Sequence, residues 1–474
     1  MWGSRCSGFA TACSLRTADE TRRSFIEFFR GEGHIHIPSS SVLPAPGDSS
    51  LLFTNAGMNQ FKGVLSGTDG KTKWAPRVVT HQKCIRAGGR HNDLDDVGRD
   101  LHHLSFFEMM GNWSFHDAYD KGEACRLAWK YLTEVVCIPS SRLYVTYFGG
   151  HAGWGLPSDQ ETRQIWKQLG VDDDRILPFT EENFWEMGRT GPCGPSTEIH
   201  YDRIENRANA SHLVNRDDSV VELWNLVFTN SLRREDGGVE SQGELHIDTG
   251  LGLERLVSVV QGVASNFDTD LFLPLLSHIH KLGSSRAYNG KVGNEDEGGV
   301  DCAYRIVADH LRAATVAISD GAVPAGEDAG FVVRKMIRRG AWRGVGLGLE
   351  RGALADIVPS VVDSLASAYP ELVDAQSAVQ ATIRKEEESF WRTVERGQKA
   401  FNKAVQSLPH GTTTIPGETL FQLHDGQGIG PEVVEMWAAE RSLLLDIPGY
   451  EERRARAKVQ SREADTKKKG VRRG

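Results

Sequence analysis

The chain contains no run of eighteen apolar residues, so no segment is long enough to cross a bilayer as a helix and no membrane partner is expected. Its seven cysteines follow no regular spacing, which excludes a disulfide scaffold and fits a reducing compartment. No His-x-x-x-His or Cys-x-x-x-His pair occurs, so zinc binding is not expected. No internal repeat is visible. What is present is ordinary globular composition: 474 residues, 39% hydrophobic and 25% charged, enough for two or three domains with real cores.

The net charge of -9 is unevenly spread. Glu451 to Gly474 carries ten Lys/Arg against four Asp/Glu, a basic tail that is either a solvated end or a source of phosphate contacts. Residues 1–18 hold two arginines and no acid among Ser, Thr, Ala and Gly. That composition suits a mitochondrial presequence, with the disordered terminus of a cytoplasmic protein as the alternative.

Thr17-Ala-Asp-Glu20 predicts a capping box that opens an amphipathic helix through Phe25, Phe28 and Phe29. Short apolar runs bounded by turn residues then predict strands at Leu51–Phe53, Leu143–Phe148, Leu223–Phe228 and Glu244–Ile247. From Thr269 the pattern turns helical, as in Ile306, Val307, Leu311, Ala314 and Ile318. Within that helical part, Gly283 to Val300 reads as a flexible insertion.

Three segments carry chemistry. Cys84-Ile-Arg-Ala-Gly-Gly-Arg-His-Asn-Asp93, followed by Ser105-Phe-Phe-Glu-Met109, reads as a strand, a glycine loop and a return strand. Glycines let backbone approach a ligand, the Arg86 fork suits phosphate oxygens, and the aromatics offer a face to a base. The same loop would also serve as an RNA-contacting turn without catalysis. Asn183-Phe-Trp-Glu-Met187 runs into the rigid turn Gly191-Pro-Cys-Gly-Pro195; taken singly, Trp185, Cys193 and His200 are ordinary core groups. In Asp248-Thr-Gly-Leu-Gly-Leu-Glu-Arg255 a strand ends, glycines turn the chain and a helix begins, so Asp248 alone reads as a helix cap and Arg255 as a solvated residue.

In this order, and together with Leu51 to Phe61, Leu223-Trp-Asn225, Val307-Ala-Asp-His310 and Phe331 to Arg339, these segments resemble the class II aminoacyl-tRNA synthetases, and within them the alanyl-tRNA synthetases, to about residue 450. The resemblance implies an α+β fold: an antiparallel-sheet catalytic domain over 19–268, an all-helical tRNA-recognition domain over 269–450 and a basic tail over 451–474, behind a presequence over 1–18. It implies ATP with Mg²⁺, alanine and tRNA(Ala) as the molecules bound, and a monomer in the mitochondrial matrix, with the cytoplasm as the alternative.

The resemblance also assigns roles. Arg86 holds the ATP α-phosphate, while Trp185, Leu223, Trp224 and Gly252 line the ATP and alanine pocket. Asn225 and Asp248 bind the alanine ammonium, and Arg255 covers the adenine. On the predicted helix, Lys335, Arg339 and Arg343 fall on one stripe at i, i+4 spacing, suited to a phosphate backbone.

Several positions depart from the family pattern. Leu104 stands where a histidine is usual, Arg189 where an aspartate is usual, and Ser196 where cysteine is common. Gly326 and Glu432 fall at positions that read the tRNA acceptor stem. No editing domain is recognised, so hydrolysis of misacylated tRNA is not expected. Two other functions use the same residues: a degenerate synthetase that binds tRNA without charging it, and a ligase that activates a small amino acid for a non-tRNA acceptor.

Overall fold

The fold opens at Thr17, whose hydroxyl accepts the Glu20 amide while the Glu20 carboxylate accepts the Thr17 amide, the predicted capping box. The helix that follows, α1 (Ala18–Gly31), buries Phe25 and Phe29. The computed structural model describes residues 17–45, 51–70, 73–88, 92–409, 411–439 and 441–457. The proposed presequence through residue 16, residues 89–91 of the glycine loop, the tail from 458 and the side chain of Glu432 lie outside the described residues.

The strands of the main sheet are β1 (Ile35–His36), β2 (Arg77–Ile85), β3 (Phe106–Ser114), β4 (Leu143–Phe148), β5 (Ile176–Phe179), β6 (Phe184–Glu186), β7 (Gly191–Asp202), β8 (Val220–Arg233) and β9 (Val239–Gly252). Their order is β1-β2-β3-β9-β8-β7-β4-β5, with β6 on β7. The central pairs from β2 to β4 are antiparallel, and the edge pairs β1/β2 and β4/β5 are parallel.

Register decides which side chains share a face, because cross-strand neighbours point the same way. Trp113, Asp248 and Val227 are in register across β3, β9 and β8, and one step along, Gly250, Asn225 and Glu198 are in register across β9, β8 and β7. These two rows floor the candidate site. The opposite face is closed by α1, where Trp224 lies 5.6 Å from Phe25 and 6.2 Å from Phe29, ring to ring.

Next come α2 (Leu253–Val260), which starts directly at the end of β9, then α3 (Val300–Ser319) and α4 (Asp328–Gly346). The structure departs from the sequence reading in two places. Leu51–Phe53 is not a strand; Thr54 instead bonds to Val42 and Ile85 through the backbone. Residues 283–300 are not a free insertion, because the buried Asp301 carboxylate accepts the Arg286 guanidinium and the backbone amides of Asn289 and Lys291.

By packing, the chain divides into two compact units. The first takes residues up to Leu349 with Asp356–Gln380, so residues 269–349 belong to the same unit as the sheet. The second takes Glu350–Ala355 with residues from Ala381 onward. Its core includes the Phe401–Trp437 ring pair, and Ile429 sits where a Cβ on Gly397 would come within 2.2 Å. Strands Thr414–Ile415 and Leu444–Leu445 of this unit pair in parallel.

Candidate active site

A cavity of about 110 Å³ opens on the face away from α1, lined by Arg86, Phe107, Met109, Leu223, Gly252 and Arg255 among others. Arg86 follows directly on β2. Its Nε donates to the Asn55 carbonyl at 3.2 Å and its guanidinium lies 4.9 Å from the centre of the Phe107 ring. The cation is thus held in place by neutral groups, and no carboxylate competes in those contacts for the charge it offers.

Arg255 reaches the cavity from the first turn of α2. Its Nη1 donates to the Glu222 carbonyl at 3.0 Å and to Glu222 Oε2 at 3.2 Å. Burial works against the Glu222 charge, but Arg255, His200 and Arg86 outweigh it and hold the carboxyl below its usual range. Glu222 and Leu223 both reach the cavity because the strand bulges: His200 pairs with Glu222 and Ile199 with Trp224, leaving Leu223 as the extra residue.

That bulge corrects one expectation. Trp224 does not line the pocket; it is fully buried on the opposite face, against Phe25, Phe29 and Tyr131. Trp185 is half-buried at the end of the site near Asp248, packed against the cluster that holds Trp113 and Phe61.

Asp248 is the most unusual group. It is 6% exposed, and burial pushes its carboxyl up to about 7. None of the ion pairs among the described residues gives it a cation. A buried carboxylate without a cation is costly, and a ligand ammonium would remove that cost.

Asn225 completes this end. Its Nδ2 donates to Glu198 Oε1 at 3.3 Å, so its Oδ1 is left as the outward acceptor, buried and without a hydrogen-bond partner. Glu198 also accepts from His200 Nε2 at 3.0 Å and from Asn215 Nδ2 at 3.3 Å, which fixes its position. Ser196 Oγ, in register with Val227 on the same face, is likewise buried without a partner. Two acceptors, Asp248 and Asn225, therefore share this face beside Gly250; neither is in the lining of the cavity, and Met109 Sδ packs against Gly250, where a Cβ would lie 2.9 Å from it. Cys193 is no nucleophile: burial raises its thiol to about 11.

The positions that departed from the family pattern are also placed. Leu104 is buried and lines the cavity beside His102 and His103. The Asp100 carboxylate bonds to His103, which raises the His103 ring, whereas burial lowers His102. Arg189 and Gly326 are exposed. Sequence reasoning gave no role to Glu222, Glu198 or Glu254; their signal was weak, since each sits within or beside a motif on an ordinary strand or helix. Glu254 is buried, which raises its carboxyl to about 7 against the opposing pull of Arg312.

The basic stripe on α4 is split. Lys335 pairs with Asp95 at 3.2 Å and remains 42% exposed at its side chain, and Arg343 is half-buried. Arg339 is a correction: it is buried, its Nη1 donates to the Leu94 carbonyl, and it approaches His310 Nε2 at 3.4 Å. It faces inward because α4 buries Met336, Ile337 and Gly340 around it, so a phosphate cannot reach it.

The family model described as tRNA synthetases class II (A) matches residues 20–473. The chain is similar to the mitochondrial alanine–tRNA ligase of Caenorhabditis elegans, 50% identical over 447 residues, covering 94% of this chain and 55% of the relative. It is as similar to the cytoplasmic alanine–tRNA ligase of that organism, 50% identical over 448 residues, covering 93% of this chain and 46% of the relative. The mitochondrial alanine–tRNA ligase of Mus musculus is 46% identical over 455 residues, covering 94% of this chain and 45% of the relative. The chain spans about half the length of these curated relatives.

Proposed function

The chain belongs to the class II tRNA synthetases, and from that membership we propose that it activates alanine with ATP and passes the alanyl group to tRNA(Ala). The observation that carries an amino-acid substrate is Asp248, a buried carboxylate with no cation on the same sheet face as the Asn225 acceptor, and the choice of alanine rests on the likeness to alanine–tRNA ligases. An ammonium, which every amino acid carries, fits both acceptors.

In the first step an alanine carboxylate oxygen attacks the α-phosphorus of ATP in line, and the bond to the bridging oxygen breaks as pyrophosphate leaves. In the second step the terminal ribose hydroxyl of the tRNA attacks the alanyl carbonyl carbon and loses its proton, and AMP departs. Neither step demands a strong protein base, so the chain acts mainly by positioning and by neutralising charge. Arg86 takes the α-phosphate, Arg255 covers the base, and Glu222 orients Arg255. Glu222, half-exposed in the lining of the cavity, would hold Mg²⁺, which would offset phosphate charge. The composition of residues 1–18 favours the mitochondrial matrix as the compartment.

Two assays test this reading. Alanine-dependent exchange between pyrophosphate and ATP is expected, followed by transfer to tRNA(Ala). No exchange at saturating alanine ends the enzyme reading in favour of a tRNA-binding protein, and exchange with transfer only to a carrier thiol supports the non-tRNA ligase.

For tRNA contact, the exposed Lys335 and the half-buried Arg343 remain the proposed phosphate ligands on α4, without Arg339. Lys335→Ala is expected to lower the salt slope of tRNA binding by about 1. Arg339→Ala is expected to leave that slope unchanged and to lower stability by about 1–3 kcal/mol, because it strands the Leu94 carbonyl and removes buried packing. Filter binding across salt concentrations, with thermal melts of both variants, checks the pair; a lowered slope for Arg339→Ala would return it to the tRNA surface.

A further inference from the structure

The β9 strand carries a Glu-Leu-His sequence, Glu244 to His246, and period-two alternation sends both polar side chains to one face. β3 pairs antiparallel with β9, with Ser114 opposite Ile247. The chain leaving β3 therefore turns beside His246 and Glu244, and the first polar side chain in that turn is His116.

The turn is unusual. His116 and Asp117 both adopt the left-handed conformation, with φ of 55° and 56°, which L side chains rarely do. It is tied to β9 from both sides: the Asp117 amide donates to the Leu245 carbonyl at 3.1 Å, and Asp117 Oδ1 accepts the Leu245 amide at 2.9 Å. The effect is to press the His116 ring against the strand. Its Nδ1 lies 2.8 Å from Glu244 Oε2, its backbone amide donates to His246 Nδ1 at 3.3 Å, and the two imidazoles are 5.0 Å apart.

We propose that His116, Glu244 and His246 form a binding site for one divalent transition-metal ion of the zinc type. One donor atom from each residue lies within 4.8 Å of the other two. Metal–ligand bonds of about 2.0–2.2 Å need donors roughly 3.3 Å apart, so modest side-chain rotation closes the set. Glu244 is 36% exposed at its side chain and would make most of that movement, whereas His246 is buried. His116 Nε2 is buried with no hydrogen-bond partner, a desolvated nitrogen for which water does not compete.

Two imidazoles and one carboxylate select Zn²⁺, Co²⁺ or Fe²⁺ over Mg²⁺, which prefers oxygen and keeps its own water. Three protein ligands leave a further position for water. None of the three residues lines the cavity that holds Arg86 and Arg255, so the ion is separate from the Mg²⁺ that accompanies ATP. The site also joins residues 128 or more positions apart in the chain. Its occupation by metal would clamp the turn after β3 to β9, the strand that carries Asp248. A search of the sequence for closely spaced ligand pairs misses it, because the strand pairing brings the third ligand.

The test is titration of the chelator-treated full chain with Co²⁺ alone, read by visible absorption, followed by Zn²⁺ competition. One Co²⁺ per chain with ligand-field bands, displaced by one Zn²⁺, is expected. His116→Asn suits the left-handed backbone and Glu244→Gln keeps the shape, so both are expected to fold as the wild type does, with the melt as control. Each is expected to weaken Co²⁺ binding at least about 10-fold, and Zn²⁺ should raise the melting temperature of the wild type but not of either variant. Asp100, His102 and His103 form a second cluster, so His103→Asn is the specificity control and should leave the cobalt signal intact. Absence of saturable Co²⁺ binding, equal binding by the wild type and His116→Asn, or loss of the signal in His103→Asn with its retention in Glu244→Gln would overturn the assignment.

Discussion

Asp248→Asn is expected to lower kcat/KM for alanine in pyrophosphate exchange by roughly 10²–10³-fold while making the empty protein more heat-stable. The two effects share one cause. In the wild type a carboxylate is buried without a cation, and this raises its carboxyl to about 7. The alanine ammonium supplies that cation, a charge-assisted contact worth about 2–5 kcal/mol. An amide keeps the shape and removes the charge, so the ligand loses its partner and the empty site loses its strain. The gain in stability should be about 1–3 kcal/mol. An ordinary structural carboxylate predicts the opposite pair of results, a lower melting temperature with unchanged alanine kinetics, and that pair would remove Asp248 from the site.

Arg86→Ala is expected to reduce kcat for adenylate formation by about 10²–10³-fold, with a smaller change in KM for ATP. The guanidinium is held by the Asn55 carbonyl and the Phe107 ring before any ligand arrives, so its charge is positioned for the pentacoordinate phosphorus at no reorganisation cost. Arg86→Lys should recover only part of the loss, because an ammonium lacks the planar fork and stacks poorly on Phe107. Single-turnover measurement of adenylate in both variants is the check. A loss confined to KM would mean that Arg86 only binds ATP and does not act on the transition state.

Much of this was legible in the residues themselves. The capping box at Thr17 and Glu20 is a local device, written within four positions, and it forms as written. The strands at Leu143–Phe148 and within β8 and β9 follow from apolar runs bounded by turn formers. Arg86, Leu223, Gly252 and Arg255 do meet in one cavity, because the motifs that carry them lie on β8 and β9 and at the ends of β2 and β9. Leu51–Phe53, by contrast, has the composition of a strand and lies in the loop region whose Thr54 bonds to Val42 and Ile85.

The sequence by itself determined the kinds of chemical group present and their order: an arginine after a strand, glycines before a helix, a carboxylate near a strand end. Tertiary structure alone decided which way each group faces. A single extra residue at Leu223 sends Trp224 to the core and Glu222 to the cavity, and no composition rule reveals a bulge. Arg339 shares helical spacing with Lys335 and Arg343, yet burial turns it toward Leu94, because periodicity names a stripe without saying what covers it. His116 meets Glu244 and His246 only through the pairing of β3 with β9. Local signals act over a few residues, whereas register and burial are set by contacts between segments more than a hundred residues apart.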